Sequence, residues 1–229
     1  HRNPLVPAHA MPGRVAALAA EIGETDRSII FFDWLSYTDP EALLAEVHTR
    51  GSRVYELLRR HGAQVAAKAL EAAARVPHLT PDTGFIVEAA LLHDIGIHRT
   101  HAPELGCFGP DPYIRHGILG REILEAAGLP RHALVCERHV GVGLSLEEIE
   151  AQNLPLPRRD MRPVSLEEQI VCYADKFYSK AGGRSQARPL PQVLAALRRR
   201  GGDLEARFRQ WMDLFEPQRP DDAPCGSAT

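Results

Sequence analysis

The chain has 229 residues, of which 44% are hydrophobic, 25% charged and 6% aromatic. This composition is typical of a globular protein and excludes the disordered, collagen-like and disulfide-scaffold classes. The net charge of -3 gives no electrostatic reason to expect general nucleic-acid binding. No apolar run approaches the roughly 18 residues that can span a bilayer, so we expect no membrane partner. The length fits one domain with a substantial core.

The beginning of the chain, residues 1–40, is interpreted as an N-terminal extension that is partly mobile. Residues 1–12 show no periodic apolar pattern, and residues 14–22 fit a short helix. Residues 27–35 are apolar enough for either a strand or a buried helix. No signal peptide is visible, and the four scattered cysteines form no CxxC pair. We therefore expect a reduced, cytoplasmic protein without a zinc ribbon.

From residue 41 onward the sequence predicts helix after helix, so the expected fold class is all-α. A capping residue and a proline open a helix over 41–50, and a 3.6-residue apolar period marks a long helix over 53–76. Residues 83–95 are apolar on almost every side, which predicts a central buried helix. Prolines and glycines predict a long loop over 98–112. Further helices are predicted over 113–126, 130–139, 165–180, 191–199 and 204–215.

Two segments, Ser145–Glu148 and Ser165–Glu168, match the capping box that begins a helix. We expect residues 41–182 to form the main domain and the helices within 183–215 to pack on it. Residues 216–229 carry three prolines and no pattern, and we expect a loose tail there.

Ionisable residues recur on the apolar faces or at the ends of the predicted helices. A single inward histidine is more often a core residue bonded to a carbonyl, and one His-Asp pair arises easily by chance. Five such positions in succession favour a metal site. Burying each group alone is costly, whereas one metal ion site in the core satisfies them together. The positions are His61, the pair His93 and Asp94, His116, His139 and Asp175.

These residues resemble the H…HD…D signature of the HD superfamily of metal-dependent phosphohydrolases. The run Leu91-Leu92-His93-Asp94-Ile95-Gly96 is similar to the HDIG form, and Tyr173-Ala174-Asp175-Lys176-Phe177 to the segment that closes the motif. His116 and His139 resemble the two extra histidines of dinuclear members. The resemblance covers about residues 50–182, and the tail helices over 191–215 are similar to those of small, functionally uncharacterised bacterial HDIG-domain proteins.

The resemblance implies a helical HD-domain bundle around a metal site. His61, His93, Asp94 and Asp175 would hold a first metal, and Asp94 would bridge to a second metal held by His116 and His139. Imidazole and carboxylate ligands suit Fe, Mn, Zn, Co or Ni. Two such cations can generate hydroxide from a bridging water near neutral pH and hold phosphoryl oxygens, which makes Asp94 a catalytic candidate.

Other charged residues near these motifs have weaker assignments. Lys176 is a candidate catalytic or phosphate-binding residue at the rim, or else a solvated lysine. Arg53 and His98 are candidate substrate-binding residues, although loop histidines are common on surfaces. Arg115 and Arg138 each precede a ligand histidine, and for most of these arginines we favour salt bridges.

The expected function is therefore hydrolysis of a phosphomonoester or phosphodiester, with a nucleotide as the favoured small phosphorylated substrate. Gly-Tyr-Pro does not follow His139, which argues against the cyclic-di-GMP phosphodiesterases. Two alternatives stay open. The same ligand types occur in mixed-valent diiron oxygenases of the HD type, and some HD domains bind ligands without catalysis.

Overall fold

The structure is a computed structural model that describes residues 39–180 and 186–216. The predictions for residues 14–22, 27–35 and 217–229 lie outside the described residues. Helices dominate the described part, which confirms the all-α fold class. The α-helices there are α1 (Pro40–Val47), α2 (Arg53–Ala73), α3 (Thr83–Leu92), α4 (His116–Ala126), α5 (Pro130–Arg138), α6 (Leu146–Ala151), α7 (Leu166–Asp175), α8 (Leu190–Arg200) and α9 (Leu204–Phe215). No helix within these ranges is both long and apolar enough to cross a bilayer.

Helix α3 lies at the centre, as its apolar sequence predicts. Asp82 caps its first turn by accepting a hydrogen bond from the Phe85 amide at 3.0 Å. The helix packs against α1, α2, α5 and α7. Its contact with α2 is close enough that a Cβ on Gly62 would stand 2.9 Å from the Leu91 Cα. This central position fixes the residues that follow α3, His93 and Asp94, deep inside the protein.

The segment 98–112, predicted as a loop, contains a small three-stranded sheet. Strand β1 (Thr100–Ala102) lies between β2 (Cys107–Phe108) and β3 (Asp111–Pro112), antiparallel to the first and parallel to the second. The prediction missed these strands because two or three residues are too few to show an alternating pattern, and because Pro and Gly dominate the segment.

Two glycines allow the turn after Asp94 to touch α4. The 3₁₀ turn Ile95–Arg99 packs against this helix so closely that a Cβ on Gly96 would lie 2.2 Å from the Gly120 nitrogen. On the next layer, a Cβ on Gly120 would lie 2.2 Å from the Cys136 Sγ of α5. Without side chains at these positions, α4 and α5 can bring their histidines up to the His-Asp pair.

Several predicted helices, including those over 53–76 and 83–95, end earlier in the structure, and one predicted capping box is incomplete. Helix α7 ends at Asp175 and does not continue to Lys180. The capping box at Ser145 is complete, but Ser165 forms only half of one. Its expected partner, the Glu168 carboxylate, instead accepts hydrogen bonds from Arg138 and from the Val164 amide. A charged guanidinium and a second backbone amide outcompete the reciprocal cap.

The helices after residue 189 share a hydrophobic core with α2, α3 and α7. The Phe208 ring of α9 stacks on the Tyr173 ring of α7 with a centroid distance of 4.9 Å and an interplanar angle of 21°. Phe215 meets the same tyrosine edge to face at 5.4 Å. Aromatic contacts of this kind contribute beyond simple area burial.

We expect Phe208→Ala to lower the free energy of unfolding by about 3–5 kcal/mol, because it removes a fully buried aromatic side chain. Leu214→Ala on the same helix is the matched control, since Leu214 is 45% exposed and its loss should cost under about 1 kcal/mol. Urea unfolding monitored by circular dichroism measures both. Equal losses in the two variants would mean that α9 does not pack on α7 through Phe208.

Candidate metal centre

Six buried side chains from five helices converge on one point of the core. Five of the six stand at or beside a helix end, where the backbone can turn a side chain inward without a clash along the helix. The six are His61 in α2, His93 and Asp94 after α3, His116 at the start of α4, His139 at the end of α5 and Asp175 at the end of α7. The structure thus brings together all six residues that the motif resemblance implies as ligands.

The first group of donor atoms contains His61, His93, Asp94 and Asp175. Asp94 Oδ2 lies 3.4 Å from the Nε2 of His61 and 3.0 Å from that of His93. Asp175 Oδ1 lies 3.0 Å and 3.5 Å from the same two nitrogens. Ligands bound at about 2.1 Å and at right angles to one another stand about 3 Å apart. The four distances are therefore those of neighbouring ligands, and His61, His93 and Asp94 offer three atoms close enough to share one cation.

The second group shares Asp94 with the first through the other carboxylate oxygen. Asp94 Oδ1 lies 3.4 Å from His116 Nε2 and 3.3 Å from His139 Nε2. The two histidine nitrogens are 3.0 Å apart. All three distances are those of neighbouring ligands, so this group also fits a cation.

Hydrogen bonds to the backbone set the position of one ring proton in three of the candidate ligand histidines. The Nδ1 atoms lie 2.7 Å from the carbonyl oxygen of the residue three positions earlier in His93, His116 and His139. A carbonyl oxygen only accepts, so Nδ1 carries the proton in each ring. In the neutral form of each ring the lone pair of Nε2 is then directed at the centre, which is the orientation that metal-binding histidines adopt.

The facing nitrogens of His116 and His139 are the strongest indication of a cation. Burial lowers the pKa of His116 to about 3 and also lowers the pKa of His139, so both rings are neutral near pH 7. Two lone pairs 3.0 Å apart repel each other unless a cation lies between them. Asp94 Oδ1 is also buried without a correctly directed hydrogen bond, which adds an unused acceptor at the same place.

Two lysines neutralise the two carboxylates of the cluster. Lys180 Nζ lies 2.8 Å from Asp94 Oδ2, and Lys176 Nζ lies 2.6 Å from Asp175 Oδ2. Burial alone would raise the carboxyl pKa values. His93 and Lys180 nevertheless hold the pKa of Asp94 well below its usual range, and the two lysines do the same for Asp175. The carboxylates therefore stay ionised and able to bind a cation.

The proton on His93 responds to the same carboxylates. Burial lowers the pKa of His93, but Asp94 and Asp175 outweigh burial and raise it to about 9. A protonated His93 therefore balances part of the charge of these carboxylates when no metal is bound near neutral pH. Metal binding has to displace this proton, so the affinity should fall as the pH falls.

Lys176 does not lie where the sequence led us to place it. Neither a rim position nor a solvated side chain is compatible with its 8% exposure. Its ammonium group donates a hydrogen bond to the His139 carbonyl at 2.9 Å and bonds Asp175. Lys176 therefore contacts two of the candidate ligands and supports their positions. It turns inward because the helix ends at Asp175.

The other candidate substrate residues lie farther from the cluster. Arg53 donates a hydrogen bond from Nη2 to the Glu104 carbonyl at 2.6 Å and lines a cleft described below. His98 Nδ1 lies 3.2 Å from the Ile95 carbonyl oxygen, and its ring contacts that of His48. Within the described residues, neither side chain belongs to the two donor groups.

Arg115 and Arg138 form the salt bridges that we favoured from the sequence. Arg115 pairs with Asp111 at 2.7 Å and Arg138 with Glu168 at 2.8 Å. These pairs orient the residues that immediately precede His116 and His139.

The sequence analysis missed Lys180, which it treated as the last residue of a helix. The sequence does contain a signal for this residue, namely the use of lysine where most basic residues of the chain are arginine. The chain contains only three lysines among its 27 basic residues, and two of them, Lys176 and Lys180, follow Asp175 within five positions. Arginine and lysine are not interchangeable, because lysine is a compact charge that fits a crowded buried cluster.

The sequence profile of the HD domain family matches residues 53–179, which is more than half of the chain. All six residues of the cluster lie inside this range. The chain belongs to the HD domain family, whose members are generally metal-dependent hydrolases.

Several curated proteins are similar in sequence to this chain, but their names do not assign it an activity. An uncharacterized protein of Methanocaldococcus jannaschii is 42% identical over 97 residues, which are 42% of this chain and 50% of that protein. Two tRNA (cytidine(56)-2'-O)-methyltransferases are 36% identical over 125 residues in Picrophilus torridus and 34% over 121 residues in Thermoplasma volcanium. The matches cover 54% and 52% of this chain but only 32% and 31% of those enzymes. The chain therefore spans half or less of the length of these relatives, and no solved structure matches it significantly.

We expect the wild-type protein to bind about two divalent metal ions per chain and His116→Ala/His139→Ala to bind about one, because the first donor group stays complete. His132→Ala is the control, since His132 is buried but pairs with Glu88 outside the cluster. Inductively coupled plasma mass spectrometry of reconstituted, desalted protein gives the counts. A double variant that keeps both metals, or a wild type that binds one, contradicts the second group as a metal site.

Proposed function

We propose that this protein is a metal-dependent phosphohydrolase with two metal ions, and that it belongs to the HDIG subgroup. The observation that carries the proposal is the pair of donor groups that share Asp94, each with ligand atoms at 3.0–3.5 Å from their neighbours. A carboxylate shared by two cation sites would keep the two ions close together, as two-metal hydrolysis of phosphate esters requires.

His61, His93, Asp94 and Asp175 would hold one ion, and Asp94, His116 and His139 the other. The mixture of imidazole and carboxylate donors suits Fe, Mn, Zn, Co or Ni better than Ca. Bound there, the ions would supply an activated water nucleophile and electrostatic stabilisation of the phosphoryl oxygens.

The charges of the chain's own residues favour an anionic substrate. Asp94 and Asp175 are matched by Lys176 and Lys180, so the cluster carries no net negative charge before any divalent ion is added. Divalent ions then make it strongly positive, which suits a phosphate dianion. Lys180 lies between Asp94 and an open cleft, so its ammonium group is placed to contact a substrate phosphate oxygen.

Gly96 supports the assignment to the HDIG subgroup. The turn after Asp94 approaches the Gly120 nitrogen to within a distance that no Cβ on Gly96 could tolerate. The structure therefore explains why the fourth residue of the His-Asp-Ile-Gly run is glycine. The absence of a side chain there lets α4 place His116 next to Asp94.

The substrate we favour is a nucleotide, bound as a phosphomonoester or phosphodiester. The two methyltransferase relatives favour a second candidate, a phosphate ester carried by RNA, because their names tie similar sequences to tRNA. The net charge of -3 argues for a short RNA end and against a long duplex.

Hydrolysis is tested with a panel of nucleoside monophosphates, cyclic nucleotides and short RNAs with phosphorylated or cyclic phosphate ends. We expect metal-dependent release of phosphate or cleavage of a phosphodiester at equal rates in air and under argon. Asp94→Asn should reduce the rate by at least about a thousandfold, because it removes a charge from both donor groups at once. Circular dichroism checks that the variant is folded, and Asp160→Asn, an exposed residue, is the matched control.

Two results would contradict the proposal that the protein is a phosphohydrolase. Turnover of an organic substrate only in the presence of oxygen, with iron bound, would assign the site to oxygenase chemistry. Retention of two metals without turnover of any phosphate ester would indicate a binding domain.

A further inference from the structure

One cleft of about 340 Å³ opens beside the metal centre, a size at the lower end of the range for small-ligand pockets. One wall is a single face of α2, formed by Arg53, Glu56, Leu57 and Arg60. The spacing of these residues, i, i+3, i+4 and i+7, explains why they line the same side. His61 follows Arg60 directly and points from α2 into the metal centre.

The opposite side of the cleft is formed by Glu104, Leu105 and Lys180. Lys180 Nζ is 2.8 Å from Asp94 Oδ2, so one side chain lines the cleft and also contacts the carboxylate shared by both donor groups. The cleft therefore adjoins the metal centre through Lys180, and it is the neighbouring space for the rest of a substrate whose reacting phosphate lies beside that lysine.

The outer part of the cleft offers an arginine that no carboxylate neutralises. Within the described residues, no acidic oxygen lies within ion-pair distance of the Arg60 guanidinium. The nearest acidic neighbour on the same face, Glu56, pairs instead with Arg59 at 3.4 Å. Arg60 is exposed, so its five N–H donors are available to a ligand.

Arg53 extends the same surface. It stands in the first turn of α2, where the helix dipole disfavours a cation, yet its guanidinium is held across the cleft by the Glu104 carbonyl. An anion bound in the cleft would offset that unfavourable charge. Between the two arginines, Leu57 and Leu105 supply apolar surface on facing sides.

We propose that this cleft is a second anion subsite and that the substrate carries two phosphate or similarly anionic groups. One group lies at the metal centre beside Lys180, and the other is bound by Arg60 with help from Arg53. Leu57 and Leu105 contact the sugar or other spacer between the two groups. The proposal rests on the proposed function and restricts its substrate to molecules that carry two such groups.

Binding of non-hydrolysable probes tests the subsite independently of turnover. The probes are α,ω-alkane bisphosphonates with one to six methylene groups, each compared with the alkyl monophosphonate of the same length. The measurement is isothermal titration calorimetry with the full chain loaded with Mn²⁺. Three proteins are compared: wild type, Arg60→Gln, and Arg209→Gln, which removes an exposed charge on α9 away from the cleft.

For at least one spacer length, we expect the wild type to bind the bisphosphonate at least about tenfold more tightly than its monophosphonate, since a charged hydrogen-bonded pair is gained. Arg60→Gln should abolish this advantage and leave monophosphonate binding unchanged, whereas Arg209→Gln should keep both. No advantage at any length, or an advantage that survives Arg60→Gln, overturns the proposal.

The test also separates this proposal from the proposed function. A protein that hydrolyses phosphate esters but shows no Arg60-dependent advantage is a hydrolase without the subsite. An Arg60-dependent advantage in a protein that hydrolyses nothing supports the subsite and contradicts the hydrolase.

Discussion

The structure depends on a single buried carboxylate, that of Asp94, whose two oxygens face two different sets of imidazole nitrogens. A carboxylate at 2% exposure is stable only if it is paired, and here four histidine nitrogens lie within 3.4 Å, two at each oxygen, together with the Lys180 ammonium. The helices that supply these groups also pack on one another, with α3 in contact with α2, α5 and α7. Their packing makes sense as a means of holding several donors around one anion.

The close packing near Asp94 serves the same end. Gly96 and Gly120 allow the turn after the His-Asp pair, α4 and α5 to approach one another more closely than side chains would permit. Backbone carbonyls fix the Nδ1 protons of His93, His116 and His139, so the rings arrive with Nε2 directed at the centre. The rigid core around α3 limits relaxation of these donors, which is what a preorganised site requires.

Much of this could be predicted from the sequence, because a long amphipathic helix and an all-apolar helix have strong periodic signals. The six inward residues were found for the same reason: ionisable groups stand out on apolar faces. The strands in 98–112 were missed because they are only two or three residues long. Lys176 and Lys180 were misjudged because their positions depend on where α7 ends, and a helix boundary is set by competition for caps. Glu168, for example, binds Arg138 instead of completing the expected capping box.

The central claim is that two cations belong on either side of Asp94. Anomalous diffraction from crystals of the manganese-loaded protein tests it most directly. The account predicts two anomalous peaks that share Asp94 as a ligand, one contacted by His61, His93 and Asp175 and the other by His116 and His139. A map with no peak between His116 and His139, in a protein whose first group is occupied, would contradict it.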